Sequence, residues 1–155
     1  GHFVIKGALD SIGLDDQGRP EELELNGRDI EVSPQAVIAE VTALGGTVRI
    51  DGDINKGVFL ATVIAADPDS NGRQGRVEID LQGAITSIIA DEDGNVTEFV
   101  MEGNRLFLQA LTLVDGVLER GLVVQVEGIV SEGQLLASRI KQIGEKPEAN
   151  ASNIP

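Results

Sequence analysis

The sequence predicts an all-β chain organised as two small tandem barrels, and three observations carry that reading. The first is an internal repeat: sliding the chain by 76 residues aligns Gly7-Ala8 with Gly83-Ala84 and Ser11-Ile12 with Ser87-Ile88. The same shift pairs Asp15/Asp91, Gly18/Gly94, Glu22/Glu98, Gly27/Gly103, Gly45/Gly121, Gly52/Gly128 and Gly57/Gly133. It ends on Leu60-Ala61/Leu136-Ala137 and Ile64/Ile140, and no gap is needed. The second observation is the period-two alternation of apolar residues within each copy, the signature of half-buried strands. The third is the punctuation: 19 glycines, many beside Asn or Asp, mark turns at short intervals.

The elements follow in order. Phe3, Ile5, Gly7 and Leu9 alternate on one face of a first strand, as do Ile79, Leu81, Gly83 and Ile85. The parity then switches, to Ile12 and Leu14 in one copy and Ile88 and Ala90 in the other, which predicts a bulge or sharp bend. Asp15-Asp16-Gln17-Gly18 and Asp91-Glu92-Asp93-Gly94 read as hairpin turns. Leu23 and Leu25 (Phe99 and Met101) mark a second strand, and Asn26-Gly27 (Glu102-Gly103) a tight turn. Ile30 and Val32 (Leu106 and Leu108) mark a third strand. Ser33-Pro34 then has the form of a helix N-cap with proline at the first helical position, followed by Ala36, Val37, Val41 and Leu44 at helical spacing. The equivalent stretch, Gln109 to Arg120, is a weaker helix candidate. A fourth strand runs through Val48, Ile50, Gly52 and Ile54 (Val124, Val126, Gly128 and Val130). After Asn55-Lys56-Gly57 (Glu132-Gly133) a fifth runs from Leu60 to Ile64 (Leu136 to Ile140).

Three strands, a short helix or irregular crossing, and two more strands is the order of an OB-like five-stranded barrel. The expected organisation is a first barrel over residues 1–66, an acidic linker over 67–78, a second barrel over 79–143 and a polar tail over 144–155. A continuous sandwich shared by both copies is the alternative.

The pattern Gly7…Ser11-Ile12…Asp15…Gly18…Leu23…Leu25-Asn26-Gly27…Ile30…Val32, then Val48…Ile50…Gly52…Gly57…Leu60-Ala61…Ile64, resembles the bacterial domain-of-unknown-function family numbered 5666. The second copy, with Val126-Glu127-Gly128 and Gly133…Leu135-Leu136-Ala137…Ile140, resembles it more closely. The resemblance implies an exported, often tandemly repeated envelope protein. The family has no established activity, so the resemblance brings no catalytic residues.

Charge narrows the classes of partner. With 26 acidic residues against 12 basic ones the formal net charge is −14, the opposite of what gathers a phosphate backbone. Nucleic acid is therefore not an expected partner, and neither are anionic membrane surfaces. No apolar run approaches a membrane span, so direct membrane insertion is not expected either. Single-strand binders and sugar platforms stack their ligands on aromatic rings, and this chain has four Phe, no Trp and no Tyr. The absence of Cys removes disulfides, thiol chemistry and Cys-ligated zinc. The chain shows no signal peptide and starts at Gly1 rather than Met, as expected of a processed or engineered terminus.

The sharpest chemical motif lies between the copies. Residues Asp67 to Glu78 fit the twelve-residue calcium loop D-x-[DN]-x-[DN]-G-x₅-E. Calcium takes six to eight oxygens. Asp67, Asp69 and Asn71 would supply side-chain oxygens, Arg73 its carbonyl and Glu78 a bidentate carboxylate, with Gly72 at the sharp turn. The flanks are strands rather than helices, and Gln74 stands where such loops carry an apolar residue. An acidic Pro/Gly connection without metal is the plain alternative. Asp91-Glu92-Asp93-Gly94-Asn95 is sufficiently explained as a turn. Asn95-Val96-Thr97 and Asn150-Ala151-Ser152 have the form of glycosylation acceptors, a frequent triplet.

His2 is the single histidine and lies at the terminus, so it cannot anchor a nucleophilic triad in a barrel. Glu21-Glu22 is a carboxylate pair in a turn-proximal, solvated position, which does not make an acid/base couple. The expectation is a non-enzymatic, extracytoplasmic structural or assembly module. It would associate with copies of itself or with other envelope proteins through strand edges and termini, and carry a structural calcium ion. A periplasmic or secreted binding module for a small or ionic ligand is the competing expectation, and an enzyme of unfamiliar type the third.

Overall fold

The computed structural model describes residues 1–39, 46–67 and 76–144. The chain is all-β there, with eleven strands and no helix. In order they are β1 (His2–Ala8), β2 (Ser11–Leu14), β3 (Pro20–Leu25), β4 (Arg28–Ile38), β5 (Thr47–Asn55), β6 (Val58–Ala66), β7 (Val77–Ala90), β8 (Val96–Met101), β9 (Asn104–Asp115), β10 (Val123–Ser131) and β11 (Gln134–Gly144). Displaced by 76 residues, the bounds of β3 fall on those of β8, and the bounds of β5 on those of β10.

The last five strands close on themselves. Their ring order is β7-β8-β9-β11-β10, and β10 pairs back to β7. All neighbours are antiparallel except β9 and β11, which run parallel. The sandwich considered above is not formed here; the sheet curls into a barrel. In the first half β1 pairs β5 on one side, and β2, two residues further along, pairs β3. The chain itself therefore links the ends of the series β1-β5-β6-β4-β3-β2. Where β1 breaks before β2, β7 stays continuous, with a register shift between Ile85 and Ser87. Both are the change of face that the apolar parity requires.

Four tight turns carry the hairpins. Asn26-Gly27, Lys56-Gly57, Glu102-Gly103 and Glu132-Gly133 each have two successive residues at positive φ, between 48° and 85°. That is the type I′ geometry whose twist matches the flanking strands, and glycine at its second position carries no steric penalty there. The Asp15 and Asp91 turns are built alike. The Asp15 carboxylate accepts the N–H groups of Gln17 and Arg19 at 2.9 Å, and Asp91 those of Asp93 and Asn95 at 2.9 Å. The Arg19 and Gln17 amides, in that order, hold the Asp15 carboxyl below its ordinary range.

Among the described residues no helix follows the third strand. Ser33 to Ile38 continue β4, and Gln109 to Asp115 continue β9; residues 40–45, which include Val41 and Leu44, lie outside the described residues. The irregular crossing takes the form of a wide bulge. Parallel pairing passes from Val32/Ala61 to Val37/Val63, and from Leu108/Ala137 to Leu113/Arg139. Four residues thus oppose one. The Ser33 hydroxyl does accept the Gln35 N–H at 3.2 Å, which is cap chemistry used in a local turn. In the second half Thr112 Oγ1 donates to the Ala137 carbonyl at 2.6 Å and accepts the Gln109 N–H at 2.7 Å.

The core follows the alternation. Phe3, Ile5, Leu25, Ile30 and Ile50 are fully buried in the first half, and Leu81, Phe99, Met101, Leu106 and Val126 in the second. Phe59, Ala61 and Ile64 are buried in the fifth strand of the first half, and Leu135, Ala137 and Ile140 in that of the second, so the inward face changes partway along each. The cause is a second bulge. Register shifts at Asp51/Gly52 and Glu127/Gly128 leave Thr62 and Ser138 without an opposite residue, which reverses the parity along the strand.

Candidate functional site

The region with most chemistry is the junction between the two halves. It is made by β1 and β7, the equivalent first strands of the two copies, which pair antiparallel: Phe3 faces Leu81, Val4 faces Asp80, Ile5 faces Ile79 and Lys6 faces Glu78. Because β1 also pairs β5, both its edges are engaged within the chain. The first strand, Phe3-Val4-Ile5, open from sequence to pairing in its own barrel or with a neighbour, is paired on both sides within the chain. Oppositely charged Lys6 and Glu78 at facing positions favour this register.

The contacts around the junction come in pairs related by the 76-residue shift. The Gly57 N–H donates to the Glu102 carbonyl at 2.8 Å, and the Gly133 N–H to the Asn26 carbonyl at 2.8 Å. The turns approach so closely that a Cβ on Gly27 would lie 2.7 Å from the Gly133 nitrogen, and one on Gly103 2.5 Å from the Gly57 nitrogen. The Asn26 amide donates to the Val130 carbonyl at 2.7 Å. Arg28 hydrogen-bonds Asn104, its own equivalent in the other half, and reaches the Gly133 carbonyl at 3.5 Å. Its guanidinium also sits 4.8 Å from the centre of the Phe59 ring, a cation–π contact. Burial lowers the Arg28 pKa, but five donors spread over a ring, an amide and a carbonyl suit a half-buried cation. Asn104 is itself buried, and among the described residues its Nδ2 has no acceptor.

The structure places only two of the five expected metal ligands. Asp69, Asn71 and Arg73, together with Gly72, lie outside the described residues. Asp67 is buried just beyond β6, and its N–H donates to the Thr47 carbonyl at 3.2 Å. Glu78 is on β7, 3.5 Å from Arg76. In the sheet order β6-β5-β1-β7, two strands lie between the strand that ends at Asp67 and the one that carries Glu78. A shared ion requires both carboxylates to reach across the ends of β5 and β1. β7 begins at Val77, so the last residues of the segment read as linker are already strand. Among the described residues no three His, Asp or Glu side chains are gathered as a metal-ligating group.

On the outer face of the junction lies an open cleft of about 320 Å³, bordered by Val4, Lys6, Arg76, Glu78, Asp80 and Glu127. The Gln125 amide donates to both Asp80 oxygens, at 3.0 and 3.1 Å, and fixes that carboxylate. Among the described residues the cleft carries both signs of charge, no aromatic ring and no nucleophile–base pair. Sequence reasoning missed it because it arises from β1–β7 pairing, which no local motif announces.

No helix of the described residues is long and apolar enough to cross a membrane. No curated protein and no solved structure matches the chain. A family model does match within the second half, over residues 82–141, which run from the middle of β7 through most of β11. What that stretch is similar to is the family described as Domain of unknown function (DUF5666).

Proposed function

We propose that this chain is a non-enzymatic, extracytoplasmic structural or assembly module, built of two tandem OB-like barrels that associate by strand addition. The observation that carries the reading is the β1–β7 ladder. It joins the halves edge to edge with backbone hydrogen bonds, a mode that gives affinity without a large aromatic patch. The same chemistry between copies makes an assembly. The strand order of the closed barrel supports the OB-like reading, and the extracytoplasmic location rests on the family resemblance. A structural calcium ion held by Asp67, Asp69, Asn71, Glu78 and the Arg73 carbonyl would fix the connection between the halves.

Mass in solution and calcium dependence test the two parts separately. The intact chain is expected to be larger than a monomer at high concentration. A chain without residues 145–155 shows whether the tail contributes; removing residues 1–5 would instead dismantle β1. Millimolar calcium is expected to raise the melting temperature, since a ligand that binds only the folded state stabilises it by mass action. An unchanged melting temperature removes the metal site, and a monomer at every concentration removes assembly. The charged cleft at the junction supports the second reading, a binding module for a small ionic ligand. That reading predicts a melting shift with one class of ion or zwitterion and no change in mass.

A further inference from the structure

The two halves offer the same strand edge to solvent and treat it oppositely. Beyond Phe107, β9 leaves β8 behind, and no described strand lies along its side away from β11. The equivalent part of β4 in the first half is guarded. Pro34 there has no N–H to offer, and Arg19 donates to the carbonyls of Ala36 at 2.8 Å and Ser33 at 3.5 Å. Gln35 adds a polar side chain. In the second half these three guards are gone, although the wide bulge at Gln109–Thr112 is kept. Ala110 replaces Pro34, Leu111 replaces Gln35 and Asn95 replaces Arg19. Among the described residues no side chain donates to the carbonyls of Gln109 or Thr112. Leu111 is 90% exposed, Leu113 65% and Val117 72%, which are large values for aliphatic side chains on one short stretch.

From this asymmetry, we propose that the Gln109–Asp115 edge of β9 is a self-association surface, and that its occupant is the same edge of a second copy, paired antiparallel about Thr112. The proposal rests on the assembly reading above and names its interface. Charge selects the occupant. The chain carries −14 overall, yet residues 109–114 hold no charge, and Asp115 is paired with Arg139 at 3.0 Å. Centred on Thr112, the pairing sets Leu111 against Leu113 of the other copy, Ala110 against Val114 and Gln109 against Asp115. No like charges meet, and the exposed leucines cover each other across the strands. The symmetry is two-fold and closes at a dimer.

The test transplants the guards. The double variant Ala110→Pro with Leu111→Gln gives the second half the residues of the first, where proline already occupies the same strand position. Sedimentation over a range of concentrations is expected to show a dimer for the unaltered chain. In the variant the monomer–dimer midpoint is expected to rise by about tenfold or more, with an unchanged melting temperature for the monomer. Because the chain has no Cys, a mixture of Leu111→Cys and Leu113→Cys chains reports the register. The mixed disulfide is expected to dominate over either like pair. A dimer that persists unchanged in the double variant overturns this edge and leaves assembly through another surface. An unaltered chain that stays monomeric overturns both. Predominance of a like-pair disulfide overturns the register.

Discussion

Replacing Gly52 or Gly128 by alanine is expected to cost about 3 kcal/mol of stability each, measured by denaturant unfolding. Both glycines sit at the register shifts between the fourth and fifth strands of their halves. A Cβ on Gly52 would lie 2.0 Å from the Leu60 carbonyl oxygen and 2.7 Å from the Phe3 ring; one on Gly128 would lie 2.0 Å from the Leu136 carbonyl oxygen. The obstacle is backbone of the neighbouring strand, so no rotamer change relieves it, and the bulge must open. Gly13 is the control. A Cβ there meets the Glu22 side chain at 3.5 Å, an ordinary contact, and Gly13→Ala is expected to leave stability unchanged or slightly raised. If Gly52→Ala and Gly13→Ala behaved alike, the close approach of β5 and β6 would be wrong.

Phe3→Ala is expected to destabilise the chain by about 3–5 kcal/mol. Phe3 is fully buried, its ring lies 4.8 Å from that of Phe59, and it packs where Gly52 leaves room. It also stands on β1, the strand shared by both halves, opposite Gly52 on one side and Leu81 on the other. Its loss therefore loosens the core of the first half and the junction together. Hydrogen exchange is expected to accelerate in β7 as well as in β5. Acceleration confined to β5 would mean that the halves are energetically independent.

Much of this fold is visible in the residues because its determinants are local. Asn26-Gly27 specifies a type I′ turn wherever it falls between strands, and Asp15 and Asp91 fold their own turns through their carboxylates. The parity switch after Leu9 and Ile85 announces the bend in the first strand. Ser33-Pro34 misleads because its local chemistry is real but tertiary pairing overrides it: the parallel ladder to β6 takes Val37 and Ile38, and Arg19 takes the Ala36 carbonyl.

The site was legible to a smaller extent. The calcium-loop motif is a statement about twelve consecutive residues, of which the described structure places Asp67 just past the end of β6 and Glu78 on β7, with two strands between. The junction cleft and the unguarded β9 edge depend on residues far apart in sequence. A signal for the edge was nonetheless present in the repeat: aligning the copies shows Pro34, Gln35 and Arg19 replaced by Ala110, Leu111 and Asn95.

The pairing of β1 with β7 is what makes one body of the two halves, and one engineered bond tests it. Val4 and Asp80 face each other at the centre of the ladder, each the equivalent of the other under the 76-residue shift. Both are only half-buried, and the chain has no other thiol to compete. Directly opposed strand residues lie within the span a disulfide needs. The double variant Val4→Cys with Asp80→Cys is expected to form an intramolecular disulfide on air oxidation, complete at low concentration and accompanied by a higher melting temperature. Free thiols that persist in the folded chain, or bonds formed only between molecules, would contradict the β1–β7 junction.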